Sequence, residues 1–139
     1  MKIYLYFIGK PKDPHANAIA ADFLGRADRY CPCEMREIRP DRFDLWERHP
    51  TARKIFLDPA GKPADSAAFS KLIAKGEMEG RDLVFLIGGH DGLPPGWPAR
   101  ADQLLSLSAM TFPHELARAM LAEQVYRGFC MLRNHPYVR

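Results

Sequence analysis

The stretch Asp82–Ile87 constrains the fold of this chain most, because it is almost continuously apolar. A strand that is apolar on both faces is typical of a parallel sheet buried between layers of helices. Glycines follow at once in the segment 86–95, which reads Leu-Ile-Gly-Gly-His-Asp-Gly-Leu-Pro-Pro. The pattern predicts a buried strand that ends in a sharply turning loop.

Strand and helix patterns alternate along the rest of the chain. Further strands are predicted at Lys2–Ile8, Cys33–Arg39, Lys54–Leu57 and Leu104–Ser108. Helices are predicted after Asp13-Pro14, after Asp65 or Ser66, and from Pro113 to Asn134, with shorter turns within 41–48 and 95–103. The prolines and glycine of 58–63 predict an irregular loop. This alternation indicates an α/β fold with a mostly parallel sheet sandwiched by helices.

Length and charge narrow the class of protein. A chain of 139 residues with 47% hydrophobic content suits one domain, residues 1–139, with a real core. The net charge of +3 excludes a protein that holds nucleic acid by bulk electrostatics alone. The apolar N-terminus is far shorter than the roughly 20 residues of a membrane span, so it reads as a strand and not as a signal.

Metal and disulfide sites are not expected. Cys31, Cys33 and Cys130 form an odd, sparse set, which favours reduced thiols in a cytoplasmic protein. Cys31-Pro32-Cys33 lacks the further ligands that zinc needs. His90, His114 and His135 lack both the i, i+4 spacing and the acidic neighbours of a metal site.

Three loops follow predicted strands, after Leu57, after Ile87 and after Leu107. Ligands of parallel sheets bind beyond the carboxyl ends of the strands. The glycine loop does not match either phosphate-binding glycine motif, and Asp91 would repel a phosphate. Two readings remain open for this loop: a wall of a nucleoside pocket, or a tight turn without a ligand.

Several motifs in combination carry a family resemblance. They are Leu86-Ile87-Gly88-Gly89-x-x-Gly92, Leu105-Ser106-Leu107-Ser108-x-x-Thr111-x-Pro113-His114, Glu123-Gln124-x-Tyr126-Arg127 and Asn134-His135-Pro136-Tyr137. From about Leu57 to Tyr137 their order and spacing resemble the small SPOUT-class RNA methyltransferases of the RlmH type. That family methylates N3 of a pseudouridine in large-subunit ribosomal RNA.

The resemblance implies an α/β sheet whose C-terminal segment threads a trefoil knot. It also implies a homodimer that holds S-adenosylmethionine in the knot loops, with the ribosome as partner and neither membrane nor DNA. Carried over by position, the implied cofactor-binding residues are Leu57, Gly88, Gly89, Ser108, Ala109, Met110, Thr111, Phe112 and Pro113. Without the resemblance, Ser106–His114 reads only as a strand end, a turn and a helix cap formed by Thr111.

Methylation at N3 requires that the nitrogen lose its proton, to a base or through stabilisation of the anion. His114, His135 and Tyr137 are the candidates for proton handling, and Arg127, Arg133 and Arg139 for charge stabilisation or phosphate binding. We expect the last helix and tail of one subunit to complete the site of the other.

The chain departs from the family at two places. His90-Asp91 stand where the family often has proline and glutamate, and Val138 stands where it has a histidine after the tail tyrosine. Because of the second departure, the catalytic role of the family histidine is expected to fall to His135, Tyr137 and the arginines. The same departure also keeps open the alternative of a non-catalytic RNA- or nucleotide-binding module. A second alternative is a transfer RNA methyltransferase of the same class, which would share the cofactor loops and use other acceptor contacts.

Overall fold

The structure, a computed structural model, describes residues 1–138. Its five strands are β1 Ile3–Ile8, β2 Cys33–Ile38, β3 Arg53–Pro63, β4 Leu83–Ile87 and β5 Gln103–Ser106. They form one sheet in the order β2-β1-β4-β3-β5, and every neighbouring pair is parallel. The predicted parallel α/β sheet is therefore confirmed, and the knot stays a prediction.

Three α-helices connect strands, α1 Pro14–Ala27, α2 Leu45–Arg48 and α3 Ser66–Glu79, and a fourth, α4 His114–Leu132, follows β5. A 3₁₀ turn spans Pro98–Arg100. Asp13 and Asp65 cap α1 and α3 with their carboxylates, as their place before each helix predicts. Gly80 ends α3 at φ 61°, a left-handed conformation that favours glycine.

Both faces of the sheet are buried, which explains the continuous apolar run of β4. One core joins alternate residues of β1 and β4 to α1, α3 and α4. The second core lies on the opposite face, where Phe43, Leu45 and Trp97 cover Tyr6, Phe56 and further sheet residues. Helices thus pack mainly on one face, and the segments around α2 and the 3₁₀ turn close the other.

Strand β3 corrects the prediction of an irregular loop at residues 58–63. Leu57 and Lys62 both lie opposite Leu105 of β5, so the chain bulges outward between them and then rejoins the sheet. Pro63 can close the strand because β3 pairs there with β5 alone.

Helix α4 corrects one further detail and leaves two large apolar side chains exposed. Leu116 and Met120 are 45% and 39% exposed. Thr111 does not cap the helix, because Pro113 occupies the N-cap position and no side chain bonds there. Within residues 1–138, none of the helices is both long and apolar enough to cross a bilayer.

Candidate active site

The β3 bulge and the loops that follow β4 and β5 meet in one cleft. The cleft has a volume of about 210 Å³ and a mostly apolar lining. Leu57 lies at the start of the β3 bulge, Gly88 and Gly89 come from the loop after β4, and Leu107 comes from the loop after β5. The start of α4 closes one side with His114 and Ala117. The topology thus brings together residues up to 60 positions apart in sequence.

The glycine loop is shaped by close contacts with its own backbone and with the end of β1. A Cβ on Gly88 would lie 2.5 Å from the carbonyl carbon of Gly92, and one on Gly89 would lie 2.7 Å from the carbonyl oxygen of Ile8. The N–H of Gly92 donates to the oxygen of Gly89 (3.0 Å), which closes the turn. His90 and Asp91 form its exposed tip and do not line the cleft.

The loop 107–113 forms the outer wall. The hydroxyl of Ser108 accepts from the N–H of Met110 (3.0 Å), and Ser106 donates to the carbonyl of Ser108 (2.9 Å). Of the nine predicted cofactor-binding residues, the cleft brings together all but Ala109 and Pro113. Met110 is 72% exposed although it lines the cleft, so this wall is open on its outer side.

A buried polar cluster fixes the first turn of α4. The carboxylate of Glu115 accepts from the backbone N–H groups of Lys12 and Asp13, each at 2.6 Å. These bonds, led by that from Lys12, hold the pKa of Glu115 below its usual range. Arg118 is fully buried, lies over the ring of Phe7 at 3.5 Å and donates to Asn17. The loop after β1 is thereby bound to the helix that carries His114.

A second polar cluster lies near the other end of α4. The Glu123 carboxylate accepts from Arg127 through Nη2 (2.7 Å) and from the Tyr137 hydroxyl (2.6 Å). The guanidinium of Arg127 also lies over the Tyr137 ring, at 5.1 Å. His135 is exposed, and its Nδ1 accepts from the backbone N–H of Tyr137 (3.1 Å).

The predicted catalytic residues therefore form two separate groups. His114 lies at the cleft, whereas Arg127 lies about 20 Å farther along the helix axis at 1.5 Å per residue. Tyr137 is half-buried against the main core, so the tail packs on the folded domain. Arg133 pairs with Glu77 at 2.5 Å. Arg139 lies outside the described residues.

Sequence reasoning missed several residues of the site. Asp58 and Leu93 line the cleft, and their place directly beside predicted strand-end residues was a usable signal. No role was predicted for Glu123, although its i, i+4 spacing to Arg127 predicts an ion pair. Within residues 1–138, no cluster of three or more histidine, cysteine or acidic side chains could hold a metal ion.

Comparison with known proteins identifies the class to which this fold and cleft correspond. A family described as "Predicted SPOUT methyltransferase" matches residues 1–137. The chain belongs to the SPOUT methyltransferase family.

Curated relatives narrow this class to the RlmH type, as the motifs indicated. A protein of Solibacter usitatus (strain Ellin6076) named "Ribosomal RNA large subunit methyltransferase H" is 86% identical over the full length of both chains. A protein of the same name from Sorangium cellulosum (strain So ce56) is 39% identical and aligns over 99% of each chain.

Solved structures share the fold at low sequence identity. A probable methylase family protein from Haemophilus influenzae Rd KW20 superposes with a TM-score of 0.60 and 9% identity, covering 99% of this chain and 70% of that one. An AdoMet-bound rRNA methyltransferase from Sinorhizobium meliloti superposes with a TM-score of 0.55 and 16% identity, covering 91% and 56%.

Proposed function

We propose that this protein transfers a methyl group from S-adenosylmethionine to N3 of a pseudouridine in 23S ribosomal RNA. The observation that carries the proposal is the convergence of the β3 bulge, the loops after β4 and β5 and the start of α4 in one mostly apolar cleft. The names of the relatives that align over the full chain supply the substrate class.

The cleft fits a nucleoside cofactor. Its side chains are mostly apolar, as the flat faces of an adenine require, and its loops offer backbone N–H and C=O groups for the base edge. Leu57, Gly88 and Gly89 would hold one side of the cofactor, and the loop 108–113 the other. The sulfonium of S-adenosylmethionine supplies an activated methyl group when bound.

The chain itself has to align the acceptor and stabilise its charge. N3 has to lie about 3–3.5 Å from the methyl carbon, in line with the bond that breaks. N3 has to lose its proton, and Arg127 can stabilise the negative charge that develops on the base. His114, His135 and Tyr137 remain the candidates for handling that proton.

The acting unit in this proposal is a homodimer. His114 and Arg127 are about 20 Å apart on one rigid helix, so one chain cannot bring both to a single methyl group. Leu116 and Met120 lie one turn apart on α4 and form an exposed apolar strip, which a second subunit would bury. The tail of one subunit then reaches the cleft of the other.

The acceptor is proposed to be the assembled ribosome, in the cytoplasm. With a net charge of +3, the chain has little electrostatic means to select one nucleotide in naked RNA. Shape on a structured ribosomal surface can supply the missing selectivity. Salt-insensitive methylation of a short isolated RNA hairpin would contradict this part of the proposal.

One experiment separates the proposal from its alternatives. The pure protein is incubated with methyl-labelled S-adenosylmethionine and, in parallel, with ribosomes lacking the modification, with isolated ribosomal RNA and with transfer RNA. We expect label in assembled ribosomes alone, at N3 of a pseudouridine. Label in transfer RNA supports the related transferase, and cofactor binding without label anywhere supports the non-catalytic module.

A further inference from the structure

Glu123 connects two residues to which the proposed reaction assigns a role. Its side chain is 19% exposed and bonds to Arg127 at 2.7–3.1 Å and to the Tyr137 hydroxyl at 2.6 Å. It also accepts from the Gln124 amide at 3.1 Å. One half-buried carboxylate thus holds the tail against α4.

The bond to Glu123 fixes the proton of Tyr137. A carboxylate can only accept, so the phenol has to donate, and its oxygen turns its lone pairs away from Glu123. Burial, followed by this hydrogen bond, raises the pKa of Tyr137. A phenolate at 2.6 Å from the carboxylate would also be repelled by it. Tyr137 therefore stays neutral and presents a hydrogen-bond acceptor.

The same carboxylate orients Arg127. The guanidinium contacts Glu123 through Nε and Nη2, which turns Nη1 away from the carboxylate. Partial burial raises the pKa of Glu123, but the bonds from Arg127 and Tyr137 outweigh it and lower the pKa below its usual range. Glu123 thus stays ionised, which makes it a fixed anchor and a poor proton acceptor.

A cavity of about 440 Å³ lies beside this cluster. Glu123 and Gln124 line it, and it shares Leu105 and Leu107 with the cleft. Glu123 therefore borders open space and is not enclosed by its own chain.

We propose that Glu123 is a positioning residue, which sets Tyr137 as a neutral hydrogen-bond acceptor and Arg127 as a cation toward the acceptor base. This inference rests on the proposed function. In this inference neither Glu123 nor Tyr137 accepts the proton from N3, so His114 and His135 are the remaining candidates for accepting it.

The test is a double-mutant cycle of Glu123→Gln and Tyr137→Phe, measured as methylation of unmodified ribosomes. Glu123→Gln is expected to lower kcat about tenfold to hundredfold, the cost of a misplaced reacting group, and to leave cofactor affinity within about twofold. Because Glu123 acts through Tyr137 and Arg127, the combined loss in the double variant is expected to be smaller than the product of the single losses. Independent, multiplying losses, or an unchanged kcat for Glu123→Gln, would overturn the proposal.

Glu79→Gln is the matched control, because Glu79 is also a helical carboxylate paired with cations, Arg53 and Lys75, but lies on α3. It is expected to keep wild-type methylation.

A readout independent of activity is the Tyr137 pKa, followed by NMR of ring-labelled tyrosine and assigned with Tyr137→Phe. Glu123→Gln is expected to lower it, and an unchanged value contradicts the inference even if the variant is less stable. If the wild-type chain methylates no RNA, the proposed function fails, while the titration still tests the contact.

Discussion

At the scale of single residues, the glycine loop separates residues that shape the cleft from residues that only close the turn. Gly88 and Gly89 face neighbouring backbone so closely that no side chain fits. His90 and Asp91 point outward at the tip, so the departure from the family's proline and glutamate falls where the cleft is not touched.

We therefore predict that His90→Pro with Asp91→Glu changes affinity for S-adenosylmethionine less than tenfold, which is about 1.4 kcal/mol. Isothermal titration of the purified variant measures this. Gly89→Val serves as the contrasting variant, because its side chain would meet the carbonyl oxygen of Ile8. A tenfold weaker affinity in the tip variant would refute the prediction.

Glu115 predicts a pH dependence of stability. The pKa of Glu115 is lower in the folded chain than in the unfolded chain. The ionised carboxylate therefore stabilises the fold above the unfolded pKa of about 4.3, and this contribution is lost as the pH falls through the folded pKa. Glu115→Gln is therefore expected to unfold at lower urea concentration than wild type at pH 7. The difference between the two midpoints should shrink as the pH falls below about 4. A difference that is constant from pH 7 to pH 3 would contradict this account.

At the scale of secondary-structure elements, local signals predicted most boundaries. Asp13-Pro14 and Asp65 predict the starts of α1 and α3, because a helix cap bonds to backbone within the first turn. The prediction of an irregular loop at residues 58–63 was wrong. The register shift between Leu57 and Lys62 is set by pairing with β5, which lies about 40 residues later in the sequence. The bonds from Lys12 and Asp13 to Glu115 cross about 100 residues, so no local pattern announces them.

Helix α4 carries a prediction of its own, because Leu116 and Met120 lie one turn apart and are exposed. Leu116→Asp with Met120→Asp is expected to convert a dimer into monomers, since charge on a buried apolar strip costs more than the contact gains. Sedimentation velocity measures this. Met78→Asp is the control, because Met78 is 86% exposed on α3 and is not part of the strip on α4.

At the scale of the whole molecule, the site is expected to be shared between subunits. Removing residues 136–139 should abolish methylation and leave cofactor binding within about twofold, because the cleft contains none of the described tail residues. Filter binding of labelled cofactor and methylation of unmodified ribosomes measure the two effects separately. Unchanged methylation would contradict the shared site.

Mixing two inactive variants tests the same arrangement directly. Subunits with Gly89→Val lack a cleft, and subunits without 136–139 lack a tail. After random exchange, half of the dimers are mixed and each has one complete site, so about a quarter of the wild-type activity should return. No recovery, with exchange shown by mass spectrometry, would place the cleft and tail of one site on one chain.

The position of α4 has a consequence for synthesis. The cleft residues of β3, of the glycine loop and of the loop after β5 are translated first. His114 and Ala117 follow later, in α4. Until that helix leaves the translating ribosome and packs on α1 and α3, the cleft lacks one side. We expect S-adenosylmethionine to bind only completed chains, and to stabilise them by mass action once it does. Chains whose synthesis stops before α4 would then bind no S-adenosylmethionine in the cell.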